Sequence, residues 1–326
     1  MKRILVLLAV SVLSASCVAQ EHPGAEDFAA RAAEEYGLDA AQVMDLLASA
    51  RFQQSIVDAM MRPAEAKPWF EYRPIFLTEK RIEGGVAFWN EHRDLIAEAA
   101  RRYEVDPEYI VAIIGVETFY GRITGSYRVL DALATLAFHY PDTGNDRSDF
   151  FARELMQFVV LGSEEGLPLR EVEGSYAGAM GLGQFMPSSY REYAVDLDGN
   201  GRRDLWGSLA DVIGSVANYL HRHGWQYGQP VASRAVVAED ADMDRVSRRN
   251  LKPEATVAEL AAAGFTPADA QPADLPAAVT RLREEDGDSY WLTYRNFYVI
   301  TRYNRSPLYA MAVHDLARAI AAEYGE

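Results

Sequence analysis

Apolar residues recur every three or four positions over most of the chain, which is the spacing of helices that bury one face. The pattern covers residues 25–61 and 83–103. A proline-rich stretch at 63–74 lies between these two segments and is predicted to be extended. The same spacing occurs again in residues 129–138, 150–161, 212–221 and 306–324. The hydrophobic pattern therefore predicts a mainly helical protein.

One predicted helix has no polar face. Asp106 and Pro107 are typical of an N-cap and a first helical residue. Residues 110–116 then carry no polar side chain, so this helix is predicted to be buried on every side. Glu117 follows, and Gly121 is a candidate to end the helix.

The carboxylate of Glu117 is the most informative group of this segment. Burial disfavours the charged form of a carboxylic acid, so the pKa of Glu117 is expected to rise and leave a group that donates a proton near neutral pH. The alternative is that Glu117 lies at an exposed helix end and simply reaches water. The helix alone leaves both interpretations open.

The pattern changes after residue 224. Five prolines and short apolar runs such as 235–237 replace the helical spacing, which favours a small α/β insertion. The fold class is predicted as mainly α, of α+β type. The expected units are an N-terminal helical lobe at 25–105, a core at 106–224, the insertion at 225–290 and a return to the core at 291–326.

The first residues are typical of an export signal. A basic start precedes an apolar run at 4–13 that is too short to span a membrane. We expect a signal peptide over 1–19. The single cysteine, Cys17, lies where a bacterial lipoprotein would be acylated, although Ser14 stands where Leu, Val or Ile is usual. The alternatives are a lipoprotein anchored to the outer membrane and a soluble periplasmic protein.

Composition limits the classes of molecule that the protein is expected to bind. The chain has 326 residues and a net charge of -16, which argues against nucleic-acid binding because a phosphate backbone demands a basic face. We expect no organic cofactor.

Two further segments carry candidate chemistry. Residues 175–187 combine three glycines with Gln184, which suits either close approach to a ligand or a tight structural turn. Residues 296–309 are rich in Tyr and Asn, a composition that suits a groove for sugars. The alternative for the second segment is an aromatic core patch, which we favour for Phe297 and Tyr298.

An acidic glycine turn at 196–204 matches an EF-hand calcium loop. Gly207 stands where a bidentate Glu is expected, and Asp211 is a candidate for the missing carboxylate. The alternative is an empty Asp/Gly turn. The expected ligands of a structural, weakly bound calcium ion are Asp196, Asp198, Asn200, the backbone of Arg202, Asp204 and Asp211.

Three motifs in this order, at 115–121, 175–190 and 301–309, resemble the membrane-bound lytic murein transglycosylase B family (glycoside hydrolase family 103). The resemblance runs from about residue 28 to about residue 322. It implies a lysozyme-like core and non-hydrolytic cleavage of the β-1,4 bond between N-acetylmuramic acid and N-acetylglucosamine, leaving a 1,6-anhydro end. It also implies a bound calcium ion.

The resemblance assigns Glu117 as the acid/base. The loop at 142–146 looks longer here, which affects the match of Arg147, and Phe150 stands where a Tyr is usual. The implied substrate-binding residues are Tyr72, Arg147, Ser175, Met180, Gln184, Tyr219, Tyr303, Asn304 and Tyr309.

Two other functions stay open at this point. Most glycosidases use two carboxylates, and the motifs offer only Glu117, which suffices if the sugar supplies the nucleophile. A hydrolytic muramidase is one alternative, and a non-catalytic, calcium-stabilised murein-binding protein is the other. The expected partners are peptidoglycan glycan strands, with cell-wall synthesis enzymes as candidates, and the protein is expected to be a monomer.

Overall fold

The structure is a computed structural model that describes residues 22–62, 66–247 and 251–325. The predicted signal peptide at 1–19, and Cys17 within it, lie outside the described residues. Among the described helices, each is too short or too polar to cross a membrane.

Helices dominate the described chain, and the predicted α+β class is confirmed. The helices are α1 Ala25–Tyr36, α2 Ala40–Ala48, α3 Gln54–Met60, α4 Trp69–Phe76, α5 Glu79–Glu91, α6 Arg93–Tyr103, α7 Pro107–Thr118, α8 Val129–Phe138, α9 Ser148–Glu165, α10 Pro187–Tyr193, α11 Leu209–Arg222, α12 Val257–Ala262, α13 Arg295–Tyr303 and α14 Pro307–Tyr324. The strands are β1 Tyr127–Arg128, β2 Glu173–Gly174, β3 Ala232–Val237, β4 Ala255–Thr256, β5 Phe265–Pro267, β6 Pro276–Glu284 and β7 Gly287–Thr293.

Two predicted segments differ from the structure. The stretch expected to be extended contains α4, which begins after Pro68 and tolerates Pro74 within its eight residues. The single helix expected over 83–103 is two helices, because the backbone leaves the helical region at His92, with φ −113 and ψ 27. The apolar spacing continues across this break, so periodicity could not detect it.

Helix α7 is buried as its sequence predicts, since every side chain from Tyr109 to Val116 is buried. It packs against α5, α6, α11 and α14. Asp106 stands at the N-cap, but its side chain makes no capping hydrogen bond. Its Oδ2 instead accepts from Trp225 Nε1 at 2.8 Å, and its carboxylate also accepts from the Gly228 amide. Asp106 therefore links the start of α7 to residues 225–228, which lead into the five-stranded sheet, instead of capping the helix.

The end of α7 also departs from the expectation. Phe119 and Tyr120, rather than Gly121 alone, adopt the left-handed conformation, with φ of 51 and 58. Their amides bond Gly115 and Ile114 carbonyls. The Tyr120 ring lies against Gly115, where an added Cβ would come within 2.5 Å of the Tyr120 hydroxyl. A non-glycine residue in this conformation is uncommon and often marks a functional site.

The inserted part of the chain forms a five-stranded antiparallel sheet in the order β4-β6-β7-β3-β5. Strands β6 and β7 form a hairpin that pairs Glu284 with Gly287 at the turn. The sheet and α12 enclose a small core of their own, separate from the main core.

Asn296 joins the two ends of this insertion. Its Nδ2 donates to the Gln226 carbonyl at 2.7 Å and to the Gln229 carbonyl at 3.1 Å. Its Oδ1 accepts from the Gln226 amide at 2.8 Å. Asn296 is fully buried, so it belongs to the fold and not to the sugar groove in which its sequence neighbourhood placed it.

Candidate active site

Glu117 lies in the last turn of α7 and is half-buried. Tyr309, in the first turn of α14, donates its hydroxyl to Glu117 Oε1 at 2.5 Å. Tyr309 is itself buried, and Ser306 caps the helix that carries it. Because α14 packs along α7, the buried helix pair fixes one carboxylate oxygen in place.

Tyrosines extend from Glu117 as a continuous aromatic wall. Tyr303 is stacked against Tyr309 at a ring distance of 6.5 Å, and Tyr219 lies 4.7 Å from Tyr303. The Tyr303 hydroxyl donates to the Gly183 carbonyl at 2.5 Å, and the Tyr219 hydroxyl donates to the Arg302 carbonyl at 2.6 Å. These bonds hold the rings in fixed orientations on helices α11, α13 and α14.

Burial raises the pKa of Tyr303 and of Tyr309 well above the usual value, and the charge of Glu117 is the next cause for both. Both tyrosines are therefore neutral hydrogen-bond donors throughout the physiological pH range. Within the described residues, Glu117 is the one carboxylate that contributes to either pKa.

The glycine-rich loop is tied to the Glu117 turn. Thr118 Oγ1 donates to the Leu182 carbonyl at 3.0 Å and accepts from the Gly121 amide at 3.1 Å. Gln184, at φ 50, donates its Nε2 to the Thr124 carbonyl at 3.1 Å and the Gly181 carbonyl at 2.9 Å. The side-chain N–H groups of Gln184 thus join the two loops, which leaves its amide oxygen for a ligand.

Ser175 and Met180 support this loop from inside. Ser175 Oγ accepts from the Ala177 amide at 3.2 Å and the Ala179 amide at 3.0 Å. Met180 pairs with Phe185 through the backbone, and its side chain has no exposed surface. A sugar contact by the Met180 side chain is therefore not available in this conformation, because the side chain belongs to the core.

The other implied substrate residues lie at different distances from the wall. Tyr72 is buried against Trp69 and Phe76. Asn304 Oδ1 accepts from the Ser306 amide at 3.1 Å, beside Tyr303. Arg147 is exposed at the start of α9, and its guanidinium lies over the rings of Phe150 and Phe151. The contacts of Arg147 are thus with its own helix, not with the wall.

Two other buried carboxylates are occupied elsewhere. Glu154 accepts from the Ser188 amide and hydroxyl at the start of α10, at 2.9 and 2.7 Å. Asp131 accepts from the Arg51 amide at 2.9 Å. Neither has a hydrogen bond to the residues of the wall, so Glu117 is the acid that the aromatic wall surrounds within the described chain.

A separate group of carboxylates lies in the turn before α11. Ligand atoms of Asp196, Asp198 and Asp211 lie within 4.8 Å of one another. Asp211 is fully buried and accepts from the Leu197 and Asp204 amides, both at 2.8 Å. Burial raises the pKa of Asp211, and the charge of Asp198 adds to the rise. This all-oxygen donor set fits a hard divalent cation, which would relieve the repulsion.

Asp204 departs from its predicted place in this group. Its Oδ1 accepts from the Trp206 amide at 2.9 Å and the Gly207 amide at 2.8 Å, so its carboxylate closes a turn. Asn200 Oδ1 accepts from the Arg202 amide at 2.9 Å. The structure therefore brings Asp211 to the other aspartates, as the sequence suggested, and gives Asp204 a structural role instead.

Comparison with known proteins decides the family. A family model described as the transglycosylase SLT domain matches residues 20–318. The chain belongs to this family. It is a peptidoglycan lytic transglycosylase, and the resemblance inferred from its three motifs is confirmed.

The relatives of this lytic transglycosylase are similar along almost their whole length. Membrane-bound lytic murein transglycosylase B of Escherichia coli strain K12 is 41% identical over 310 residues, which cover 92% of this chain and 83% of the relative. The structure of catenated lytic transglycosylase SltB1 from Pseudomonas aeruginosa has 47% identity and a TM-score of 0.86, and the match covers 94% of this chain and 99% of that one.

Two of the matching solved structures that contain ligands bear on the candidate sites. Escherichia coli lytic transglycosylase Slt35 in complex with calcium has 40% identity and a TM-score of 0.82, with 94% of this chain and 95% of that chain covered. Pseudomonas aeruginosa SltB3 in complex with NAG-anhNAM-pentapeptide has 30% identity and a TM-score of 0.77, and the match covers 91% of this chain and 78% of that chain. The lysozyme-like fold expected for this transglycosylase is confirmed by such neighbours.

Sequence reasoning missed Thr118 as a structural element of this transglycosylase's site. It is fully buried, and it links the Glu117 turn to the glycine-rich loop. Its only sequence signal was its position directly after Glu117, which cannot reveal a bond to a residue 64 positions away.

Proposed function

We propose that this lytic transglycosylase cleaves the β-1,4 bond between N-acetylmuramic acid and N-acetylglucosamine and leaves a 1,6-anhydro end, with Glu117 as its single acid and base. The observation that carries the proposal is the arrangement around Glu117. One carboxylate oxygen is fixed by Tyr309, and no second carboxylate of the described chain bonds to the aromatic wall. Glycosidases of the two-carboxylate type place a second acid beside the scissile bond, and Glu117 is the carboxylate that Tyr309 of the wall bonds.

The reaction needs two proton transfers at one carboxyl group. Glu117 donates its proton to the glycosidic oxygen as the bond to C1 of the muramic acid breaks, while the 2-acetamido oxygen stabilises the cation. The Glu117 carboxylate then accepts the proton of the C6 hydroxyl, whose oxygen attacks C1. Glu117 ends protonated, and no water is consumed. The attack is intramolecular, so proximity within the sugar replaces a positioned water.

The aromatic wall supplies the substrate surface. Rings such as Tyr219, Tyr303 and Tyr309 suit the apolar faces of sugars, and the free amide oxygen of Gln184 suits a hydroxyl or acetamido N–H. We propose glycan strands of murein as the substrate, since the SltB3 relative was crystallised with NAG-anhNAM-pentapeptide.

Product analysis in isotopically labelled water tests this function. Murein digested in H₂¹⁸O is expected to give anhydro ends that are lighter by one water than hydrolysis products and carry no ¹⁸O. Reducing ends that contain ¹⁸O would show a muramidase, and intact strands would show a protein that only binds murein.

We also propose that Asp196, Asp198, Asn200, the Arg202 carbonyl and Asp211 hold a structural calcium ion. The support is the carboxylate group and the Slt35 relative in complex with calcium. At a calcium concentration of about 100 times Kd the ion adds roughly 2.7 kcal/mol of stability, which for a chain of this size raises Tm by several degrees.

Thermal unfolding checks this expectation. Millimolar calcium should raise Tm of the wild type relative to EDTA, and Asp196→Ala with Asp198→Ala should remove the shift while activity is largely kept at low temperature. A wild type whose Tm ignores calcium would contradict the proposal. A folded double variant without any cleavage would place the ion in the active site instead.

For localisation we propose export and attachment to the outer membrane through an acylated Cys17, supported by the name of the membrane-bound Escherichia coli relative. Cys17→Ser should then move the protein from the membrane fraction to the soluble periplasm. Identical soluble fractions for both proteins would favour ordinary signal cleavage.

A further inference from the structure

Asn200 is the one asparagine of the sequence that a glycine follows. In such a pair the main-chain nitrogen of the glycine can attack the side-chain carbonyl carbon of the asparagine and close a five-membered imide. Glycine hinders this attack least because it has no Cβ beside its nitrogen. The rest of the protein does not shield the pair either, since a Cβ added at Gly201 would meet no atom beyond its chain neighbours within 4 Å.

Two hydrogen bonds orient the groups that this reaction joins. The Gly201 amide donates to Asp196 Oδ2 at 2.7 Å, and a bond to a carboxylate raises the electron density on the attacking nitrogen. Asn200 Oδ1 accepts from the Arg202 amide at 2.9 Å, which polarises the side-chain carbonyl and folds the side chain back along the Gly201 peptide. Asn200 is exposed, and its Nδ2 has no hydrogen-bond partner among the described residues. That nitrogen is therefore able to leave.

We propose that Asn200 is a site of spontaneous deamidation, which converts it to aspartate or isoaspartate while the loop holds no calcium. The Gly201 nitrogen bonds Asn200 Cγ, the bond from Cγ to Nδ2 breaks, and Nδ2 leaves as ammonia with the proton of the Gly201 amide. One water then opens the imide. Attack of this water at Cγ gives aspartate, and attack at the main-chain carbonyl carbon gives isoaspartate. Nothing is oxidised or reduced, and water is the only co-reactant.

The dependence on calcium rests on the proposed function, because it requires Asn200 Oδ1 and Asp196 to be ligands of the structural ion. Closing the imide moves Cγ onto the Gly201 nitrogen and carries Oδ1 away from the position of a ligand. The reaction is therefore confined to loops without calcium. At a calcium concentration of about ten times Kd only about one loop in ten lacks the ion, so deamidation slows about tenfold.

The two products change the loop in opposite ways. Aspartate keeps an oxygen at the place of Asn200 Oδ1 and adds one negative charge, and calcium loops bind more tightly as the charge of their ligands rises. Isoaspartate lengthens the main chain by one carbon and displaces Gly201 from its bond with Asp196. Time that the enzyme spends without calcium is thus recorded as a permanent change at one residue.

The test incubates the purified protein at mildly alkaline pH with EDTA or with calcium and follows the peptide that contains Asn200 by mass spectrometry. With EDTA this peptide should gain the mass difference between O and NH, take up one ¹⁸O in H₂¹⁸O, and become partly labelled by an isoaspartate-specific methyltransferase. Calcium at about ten times the Kd obtained from Tm should lower the rate about tenfold. Asn145, an exposed asparagine followed by Asp146, is the internal control and should change far more slowly in the same digest.

Asn200→Gln is the matched variant, because it keeps a side-chain amide but needs a six-membered ring, and its peptide should keep its mass with EDTA. A wild-type Asn200 that stays intact with EDTA, or that changes no faster than Asn145, would overturn the proposal. An equal rate with and without calcium, in a protein whose Tm calcium raises, would overturn the calcium dependence. If calcium changed neither Tm nor the rate, the proposed calcium site would fail, whereas deamidation with EDTA would still support Asn200 as the modified residue.

Discussion

Glu117→Gln is expected to fold like the wild type and to lose murein cleavage by about 10⁴-fold. The amide keeps the size of the side chain and can still accept from the Tyr309 hydroxyl, but it cannot donate or accept the transferred proton. General acid–base catalysis is worth about 10²–10⁴-fold, and the upper end applies because Glu117 acts in both steps. The measurement is the rate at which anhydro ends form, together with Tm.

Glu108→Gln is the matched control. Glu108 is a half-buried carboxylic acid on the same helix, and burial raises its pKa, yet it lies about 13 Å away at 1.5 Å per residue. It should keep near-normal activity. If Glu117→Gln retained activity within tenfold of the wild type, Glu117 could not be the acid.

Tyr309→Phe should lower kcat by about 10- to 100-fold and change KM less. The substitution removes the donor at 2.5 Å from Glu117 Oε1 and leaves the buried ring in place. A hydrogen bond to a charged group is worth about 1.5–3 kcal/mol, which corresponds to that range of rates if the carboxylate loses its orientation. Steady-state kinetics on soluble strands measure it.

Tyr324→Phe provides the comparison for this second variant. Tyr324 ends the same helix and accepts from Arg93 Nε at 3.1 Å, about 22 Å along the helix from Tyr309. It should cleave at the wild-type rate. A Tyr309→Phe enzyme as fast as Tyr324→Phe would show that the tyrosine only fills space.

The sequence predicted correctly those features that depend on residues close together in the chain. An uninterrupted apolar run was enough to bury α7 on all sides, and the change to short apolar runs and prolines indicated the inserted sheet. The three motifs identified the family because their order is specific. The spacing of Asp and Gly at 196–204 likewise indicated Asp211, because the next helix begins soon after this turn and carries Asp211 in its first turn.

Besides the backbone breaks at α4 and His92, the sequence did not predict where several polar side chains find their partners. Asp106 is a good N-cap by type, but an indole and an amide more than a hundred residues later take its carboxylate. Asn296 lay in a segment that suited sugars, yet its amide bonds backbone within the protein. Ser175 Oγ accepts from backbone amides and Gln184 Nε2 donates to backbone carbonyls, and their contacts with sugars stay predictions. Such choices depend on tertiary neighbours that composition and spacing do not encode.

The Asn296 bonds have a consequence for how this enzyme can change. The chain leaves the helical core near Gln226 and returns at Asn296. The buried side-chain amide of Asn296 bonds the backbone of Gln226, so it joins the outgoing and the returning segments. A segment whose two ends are already adjacent can be shortened, exchanged or used to carry a foreign domain without opening the rest of the protein. Leu282 of β6, however, belongs to the main core, and β6 packs against α4. A shortened or exchanged sheet would therefore have to keep this contact to leave the helical core unchanged.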